Sequence, residues 1–437
     1  MQAIIDKVAG LARFRALDPF PREDPLKKLD HRKLYRLPWS VTDNVISWLE
    51  PTKECNIYCD GCYSANAKGS HKSLAQVRSD LDVFEKFRQT DAVSVAGGDP
   101  LVHPEIVEVV RMIASRGLKP VVNTNGHGLT PSLLRDMKAA GLSGFTFHVD
   151  SLQTRPGWKG ATEVELNELR QEYADRVAEV GGISCAFNST VYEKTLPFAP
   201  DILDWARRNA DKVHVVVFIA FRAAVQEQFA YFAGEEEVEV KGLTYSRAAP
   251  QRTDIDAQEI VDVLRGRFPE FEPAAYLNGT EAPDSFKWLM TLLVGDKERF
   301  YGSAGPKFVE LSQVWNHLVK GRYLGYVPPS AHASGRSLLA LAPLDPGIRR
   351  IAASWARAVA RNPLRAARPL HLQSVMIIQP VDVLPDGRQS MCDSCPDMTV
   401  HDGQLVWSCR LEERLKYGEL MRLRPAAGRR KTEGAPT

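Results

Sequence analysis

No apolar run in this 437-residue chain approaches the ~20 residues that a membrane span needs. The opening stretch MQAIIDKVAGLARFRALDPF is too short in apolar length and too charged for a signal peptide. It reads as an amphipathic helix with Ile4, Ile5, Val8 and Leu11 on one side. Packing on the main domain is the commoner use of such a helix, and weak peripheral membrane contact the rarer one. Charge of one sign is also missing: the formal net charge is +2, which argues against a dedicated nucleic-acid binder. The cysteines do not come in an even number. There are seven, and without a secretion signal the expected compartment is the cytoplasm, where clustered thiols mean metal or catalysis rather than disulfides. Internal repeats are absent. Hydrophobic residues at 44% and charged residues at 25% are ordinary for a soluble globular protein.

What is present is a rhythm of short apolar runs and longer helical ones. Strand candidates are 45–50, 92–96, 119–124, 144–150, 182–189 and 213–221. Between them lie helical stretches, one with Leu74, Val77, Leu81 and Phe84 at spacings of three and four, others ending in Gly117, Gly141 and Gly181. Six strands alternating with helices predict a parallel α/β unit over 45–222, with right-handed crossovers. Residues 1–44 are read as a helical N-terminal extension. Residues 223–375 are read as a mainly helical insertion covering the substrate, including the stretches APDSFKWLMTLLVGDKERFYG and FVELSQVWNHLVKGRY. Residues 376–423 are read as a small cysteine-rich domain entered by a strand, and 424–437 as a disordered tail.

The stretch ECNIYCDGCYS places Cys55, Cys59 and Cys62 at gaps of three and two residues, just after the first predicted strand. Three thiolates can hold three irons of a four-iron cubane and leave the fourth open. They can also hold zinc, though such sites generally add a fourth ligand nearby. In an α/β barrel the loops at the C-terminal ends of the strands carry the active site. This C-x3-C-x2-C pattern, followed by the aromatic Tyr63, resembles the radical S-adenosylmethionine (SAM) superfamily. The second strand ends in AGGDP, similar to that family's Gly-Gly-Glu-Pro motif with Asp99 in place of Glu. The resemblance covers residues 45–222. It implies an α/β fold of the partial (β/α)6 TIM-type barrel kind. It also implies a [4Fe–4S] cluster on the three cysteines, SAM chelated to the open iron, and reductive cleavage of SAM to a 5′-deoxyadenosyl radical that abstracts hydrogen from substrate.

Strand alternation sorts the expected SAM pocket. Thr146, His148 and Asp150 should face the lumen, and Phe145, Phe147 and Val149 the outer helices. On the next strand Ser184, Ala186, Asn188 and Thr190 face inward, and Ile183, Cys185 and Phe187 outward. Gly97 and Gly98 leave room for backbone to approach SAM. Tyr63, Asp99, Asn125, Asp150 and Asn188 are candidates for cofactor contacts, and Phe218 for the adenine border or the core. His148 is either a group that meets substrate or one satisfied by a neighbour. Arg155 either meets an anionic substrate group or is solvated. Cys185 reads as a buried free thiol.

Farther on, MCDSCPDMTVHDGQLVWSC sets Cys392, Cys395 and Cys409 at gaps of two and thirteen. A turn at Asp402-Gly403 predicts a hairpin that returns Cys409 to the other two. Spacing and ending resemble the auxiliary-cluster motif of the GTP 3′,8-cyclase family, which makes the molybdopterin precursor. That likeness implies a second [4Fe–4S] cluster but, being local, not the GTP substrate. A structural zinc completed by His401 or Asp393 is the alternative. The expected enzyme acts on a small metabolite by oxidation, rearrangement or bond formation, with flavodoxin or ferredoxin as electron donor. Its second cluster would bind substrate or accept an electron. A C-methylase, a lipid-coupling enzyme and a peptide-modifying enzyme are the other readings.

Overall fold

The computed structural model describes residues 28–224, 228–240, 243, 252–282 and 284–426. The helix expected at the N-terminus and residues 427–437 of the expected tail lie outside the described residues.

A two-residue strand, β1 (Tyr35–Arg36), precedes the repeat. Then come β2 (Ile46–Thr52), β3 (Ala92–Gly97), β4 (Lys119–Thr124), β5 (Gly144–His148), β6 (Ser184–Val191) and β7 (Val215–Ala220), side by side and all parallel. The partial TIM-type barrel expected from the sequence is therefore present. Its outer face is packed as alternation requires: Phe147 stacks on Tyr173 of helix Leu166–Val180, and Phe187 meets Trp205 of helix Ala199–Arg208 edge-on. Tyr326 enters the lumen from the N-terminal ends of the strands, where its hydroxyl meets Ser94 and Thr146 and its carbonyl accepts from Lys119 (2.7 Å). That end is plugged, so chemistry is left to the other.

The region after β7 differs from expectation. It holds β8 (Phe229–Ala233), β9 (Glu236–Val238), β10 (Ala275–Asn278), β11 (Phe286–Gly295) and β12 (Phe300–Ala304) before β13 (His371–Ile378). FKWLMTLLVG is a ten-residue strand, not a helix. It lies between β13 and both β10 and β12 and is buried on both faces. A continuous apolar run of that kind carries no period to separate strand from helix. β13 pairs parallel with β7, so the sheet does not stop at residue 222, and the boundary at 375 falls inside a strand. β1 pairs parallel with β10, correcting an all-helical 1–44. The chain closes with β14 (Asp382–Val383), β15 (Gln389–Ser390), β16 (Met398–His401), β17 (Gln404–Trp407) and β18 (Arg422–Pro425). β18 pairs with β8, so Arg424 and Pro425 are strand rather than tail.

The large sheet ends at β1 on one side and β2 on the other. The cysteine-rich segment spans the space between them. Asn44, before β2, donates to the Ser394 carbonyl (3.0 Å). Asp393 N donates to Asn278 O (2.9 Å), and the Asp393 carboxylate pairs with Arg36. Arg88, which follows helix Leu74–Phe87, donates to the Cys395 carbonyl (2.6 Å). The hairpin β16–β17, turned at Asp402-Gly403 as expected, packs along β2.

Under β7 and β13 lie His214 and His332, with ring centroids 4.8 Å apart, and His371. Burial, then repulsion from His332 and His371, pushes His214 down to about 3. A histidine held neutral in the fold supports stability fully above its unfolded value and loses that support as pH falls below ~6.5, by up to about 1.4 kcal/mol per pH unit. Thermal melts from pH 7.5 to 5 are expected to show a falling midpoint, with a smaller fall in His214→Gln. Parallel curves for the two proteins would contradict this.

Candidate active site

A cavity of about 970 Å³ opens at the C-terminal ends of the strands, and both cysteine triplets line it. The loop bearing the first triplet is stitched to the segment after β5. Tyr58 N donates to Thr154 Oγ1 (2.9 Å), Thr154 N to Tyr58 O (2.7 Å) and Asp60 N to Leu152 O (3.0 Å). The Tyr192 hydroxyl donates to Asp60 O (3.0 Å). Two amides aim at the sulfurs: Gln153 Nε2 at Cys59 (3.5 Å) and Asn125 Nδ2 at Cys55 (3.7 Å). Burial raises all three thiols, Cys62 to about 11. Among the described residues no three Cys, His, Asp or Glu side chains gather around one ion position. The donor set itself, three thiols on one loop, fits a cubane, whose irons keep the ligands apart.

The glycines of AGGDP act first on the protein's own backbone. A Cβ on Gly97, whose φ is +104°, would stand 2.3 Å from Thr52 O, and one on Gly98 2.1 Å from Glu54 O. Their absence lets Gly98 N donate to Thr52 O (2.8 Å) and Asp99 N to Glu54 O (2.8 Å). Both glycines also line the cavity. Asp99 is not free for a cofactor: its buried carboxylate accepts from Leu101 N (2.9 Å), Thr124 Oγ1 (2.8 Å) and Asn125 N (2.8 Å). Asn125 lines the cavity and donates to Asn56 Oδ1 (2.7 Å). Tyr63 lines it too, its hydroxyl accepting from Trp48 Nε1 (3.3 Å).

Thr146, His148, Asn188 and Thr190 face the lumen as alternation predicts. Asn188 Oδ1 and Asn123 Nδ2 are buried there without a hydrogen-bond partner among the described residues, which fits a polar ligand. Asp150 does not line the cavity. Its Oδ2 lies 2.8 Å from His148 Nε2, an ion-pair distance, and the hydrogen-bond partner of that ring nitrogen is Thr190 Oγ1 (3.1 Å). Burial raises the Asp150 carboxyl, but His148 together with the backbone N–H groups of Leu152 and Thr190 holds it below the usual range. Phe218 is fully buried and off the cavity, because it is in register with Ser189, whose hydroxyl faces outward to Arg170. Ile219 and Phe221 border the cavity instead. Arg155 is neither solvated nor open to substrate. Its buried guanidinium donates to the carbonyls of Asn125 (2.7 Å) and His148 (3.1 Å). Cys185 is fully buried, as expected.

In the second triplet Cys392, Cys395 and Cys409 lie within electrostatic reach of one another, and burial pushes the Cys409 thiol up to about 12. Glu412, just beyond Cys409, accepts from Ala65 N (3.0 Å) and meets Lys53 Nζ (3.2 Å), which also reaches Glu50 (2.7 Å). The two cysteine segments are thus tied directly together. His401 and Asp393, either of which would complete the alternative zinc site, do not line the cavity: His401 pairs with Asp402 and Asp393 with Arg36. Asp397 does line it. Sequence reasoning missed Asp397, Gln153, Asn56, Asn123 and Glu412. A signal existed for Asp397, two residues after Cys395, and for Asn123, in register with lumen-facing Thr146.

Residues 49–193 match the sequence model of the Radical SAM superfamily. Over those residues the chain is similar to the radical SAM enzymes, a class whose members use a [4Fe–4S] cluster and SAM. Curated relatives include a tungsten-containing aldehyde ferredoxin oxidoreductase cofactor-modifying protein of Pyrococcus furiosus, 30% identical over 24% of this chain and 31% of that protein. Another is a GTP 3′,8-cyclase of Vibrio parahaemolyticus, 29% identical over 35% of this chain and 44% of that one. The chain spans between 31% and 57% of the length of the first curated relatives it matches. Among solved structures, Streptococcus suis SuiB bound to S-adenosylmethionine aligns with a TM-score of 0.36 and 15% identity, over 49% of this chain and 44% of that one.

Gly98→Ala is expected to cost about 1–3 kcal/mol in urea denaturation, because the added methyl meets backbone that must move. Gly128→Ala, whose Cβ would meet nothing nearer than 3.5 Å, is expected to be close to neutral. Equal midpoints for the two variants would contradict the close approach.

Proposed function

We propose that Cys55, Cys59 and Cys62 hold a [4Fe–4S] cluster, that Cys392, Cys395 and Cys409 hold a second, and that the enzyme abstracts hydrogen from a substrate bound between them. The observation that carries this reading is the shared cavity: six thiols from distant segments line one chamber with a polar lumen. When bound, the first cluster and SAM supply one-electron cleavage to a 5′-deoxyadenosyl radical. The chain's own residues set the stage for it. Gln153 and Asn125 direct N–H groups at two ligand sulfurs, which stabilises thiolate charge. Asn123 and Asn188 offer one unused donor and one unused acceptor to a polar ligand in the lumen. His148, bonded to Thr190 and 2.8 Å from the Asp150 carboxylate, presents its ring to the same space. The plug at Tyr326, whose carbonyl accepts from Lys119, limits entry of water from the opposite end.

The substrate is proposed to be a small metabolite undergoing oxidation, rearrangement or carbon–carbon bond formation, with flavodoxin or ferredoxin as electron donor in the cytoplasm. A second reading, a C-methylase or lipid-coupling enzyme, is favoured by the apolar wall of Phe229, Tyr231, Trp288, Met391, Met421 and Leu423. Among the described residues no helix is long and apolar enough to cross a membrane.

The test is anaerobic reconstitution and dithionite-driven formation of 5′-deoxyadenosine. Cys59→Ala is expected to abolish it. Cys395→Ala is expected to retain cleavage uncoupled from product. Parent-rate cleavage by Cys59→Ala would remove the assignment of that thiol.

A further inference from the structure

The second triplet leaves one iron of a cubane without a cysteine, and the obvious neighbours are engaged elsewhere. Asp397 is placed differently. Its backbone carbonyl accepts from Ser408 N (3.1 Å), at the base of the hairpin where Met398 pairs with Trp407. That bond fixes Asp397 beside Cys409, two residues after Cys395. The side chain lines the cavity that all three thiols line. Its Oδ1 is out of contact with solvent and has no hydrogen-bond partner among the described residues. A buried carboxylate oxygen without a partner is costly, and such groups call for a counter-ion or a metal.

We propose that Asp397 is the fourth protein ligand of the auxiliary cluster, binding through its carboxylate the iron that the cysteines leave open. The proposal rests on the reading of the second triplet as a [4Fe–4S] site. It deepens that reading by fixing the cluster's role. A cubane with four protein ligands has no position for substrate, so it passes or accepts electrons. An oxygen donor in place of a fourth thiolate also leaves that iron more easily lost on oxidation. The competing use of Asp397 is as a counter-charge to Arg88, which donates to the Cys395 carbonyl and whose Nε and Nη1 are themselves buried without hydrogen-bond partners. That use predicts altered folding stability without an altered cluster.

The experiment isolates the auxiliary cluster by replacing Cys55, Cys59 and Cys62 with Ala, then compares Asp397, Asp397→Asn and Asp397→Cys after anaerobic reconstitution with ⁵⁷Fe. Readouts are iron content, the electron paramagnetic resonance of the reduced cluster, its reduction potential, and conversion to a three-iron form on mild oxidation. A changed spectrum and potential in Asp397→Asn, with three-iron conversion at least about tenfold faster and reversed by Asp397→Cys, supports ligation. An identical spectrum, potential and conversion rate in Asp397 and Asp397→Asn overturns it, whatever happens to the melting temperature. Loss of all iron from the triple-alanine protein, while it still melts cooperatively, overturns the two-cluster reading instead and with it the proposal. The same substitutions in the chain with all cysteines intact, read by the ⁵⁷Fe Mössbauer signature of the unique site, keep the comparison decisive if the triple variant does not fold.

Discussion

The approach of β3 to the end of β2 is the constraint from which the site grows. With no side chains at 97 and 98, the strand end can donate two amide hydrogens to the backbone at Thr52 and Glu54, immediately before Cys55. The next residue extends the linkage. Asp99 holds Thr124 and the Asn125 amide at the end of β4, and Asn125 in turn reaches Asn56 and Cys55. Three strand ends and the thiol loop therefore move as one unit. The departure from Glu to Asp in the motif makes sense in this setting. The shorter carboxylate is used inward, for framework, accepting from Leu101, Thr124 and Asn125.

A sheet that does not close needs a side wall. Here the cysteine-rich segment supplies it, bonded to residues before β2, to β10, and to the residue after helix Leu74–Phe87. Because that wall is also the second thiol site, architecture and chemistry are coupled. Glu412 and Lys53 carry the coupling to the first loop. The buried pair Arg170–Glu163 (2.6 Å) does similar work outside the barrel, bonding to the Val149 carbonyl and the Ser189 hydroxyl. Pairs of this kind stabilise less by their own attraction than by fixing one arrangement, and removing a single partner leaves a stranded charge.

How much was legible in the sequence follows from where periodic signals exist. The parallel strands were readable because helices punctuate them, and the run 119–124 coincides with β4. The inward set on β5 and β6 was readable because polar residues at alternate positions have no other use in a barrel. Asp150 failed as a direct contact because alternation gives a direction at a strand end but not the partner that takes the side chain. Arg155 failed because a loop residue carries no period at all, and its burial depends on carbonyls at the ends of two distant segments. FKWLMTLLVG failed because burial on both faces erases alternation. Asp397 was only half legible: its place two residues after Cys395 was in the sequence, but the hydrogen bond across the hairpin base that brings residue 408 to residue 397 was not.

The central claim is that the loop of Cys55, Cys59 and Cys62 carries a cubane with one open iron facing SAM in the lumen. The most direct measurement is electron-nuclear double resonance on the reduced protein with SAM labelled by ¹⁵N at its amino group. A ¹⁵N coupling to the cluster, absent without the labelled compound, is the predicted result. A paramagnetic cluster whose spectrum ignores SAM, or tetrahedral zinc and no paramagnetic iron at all, would contradict the account.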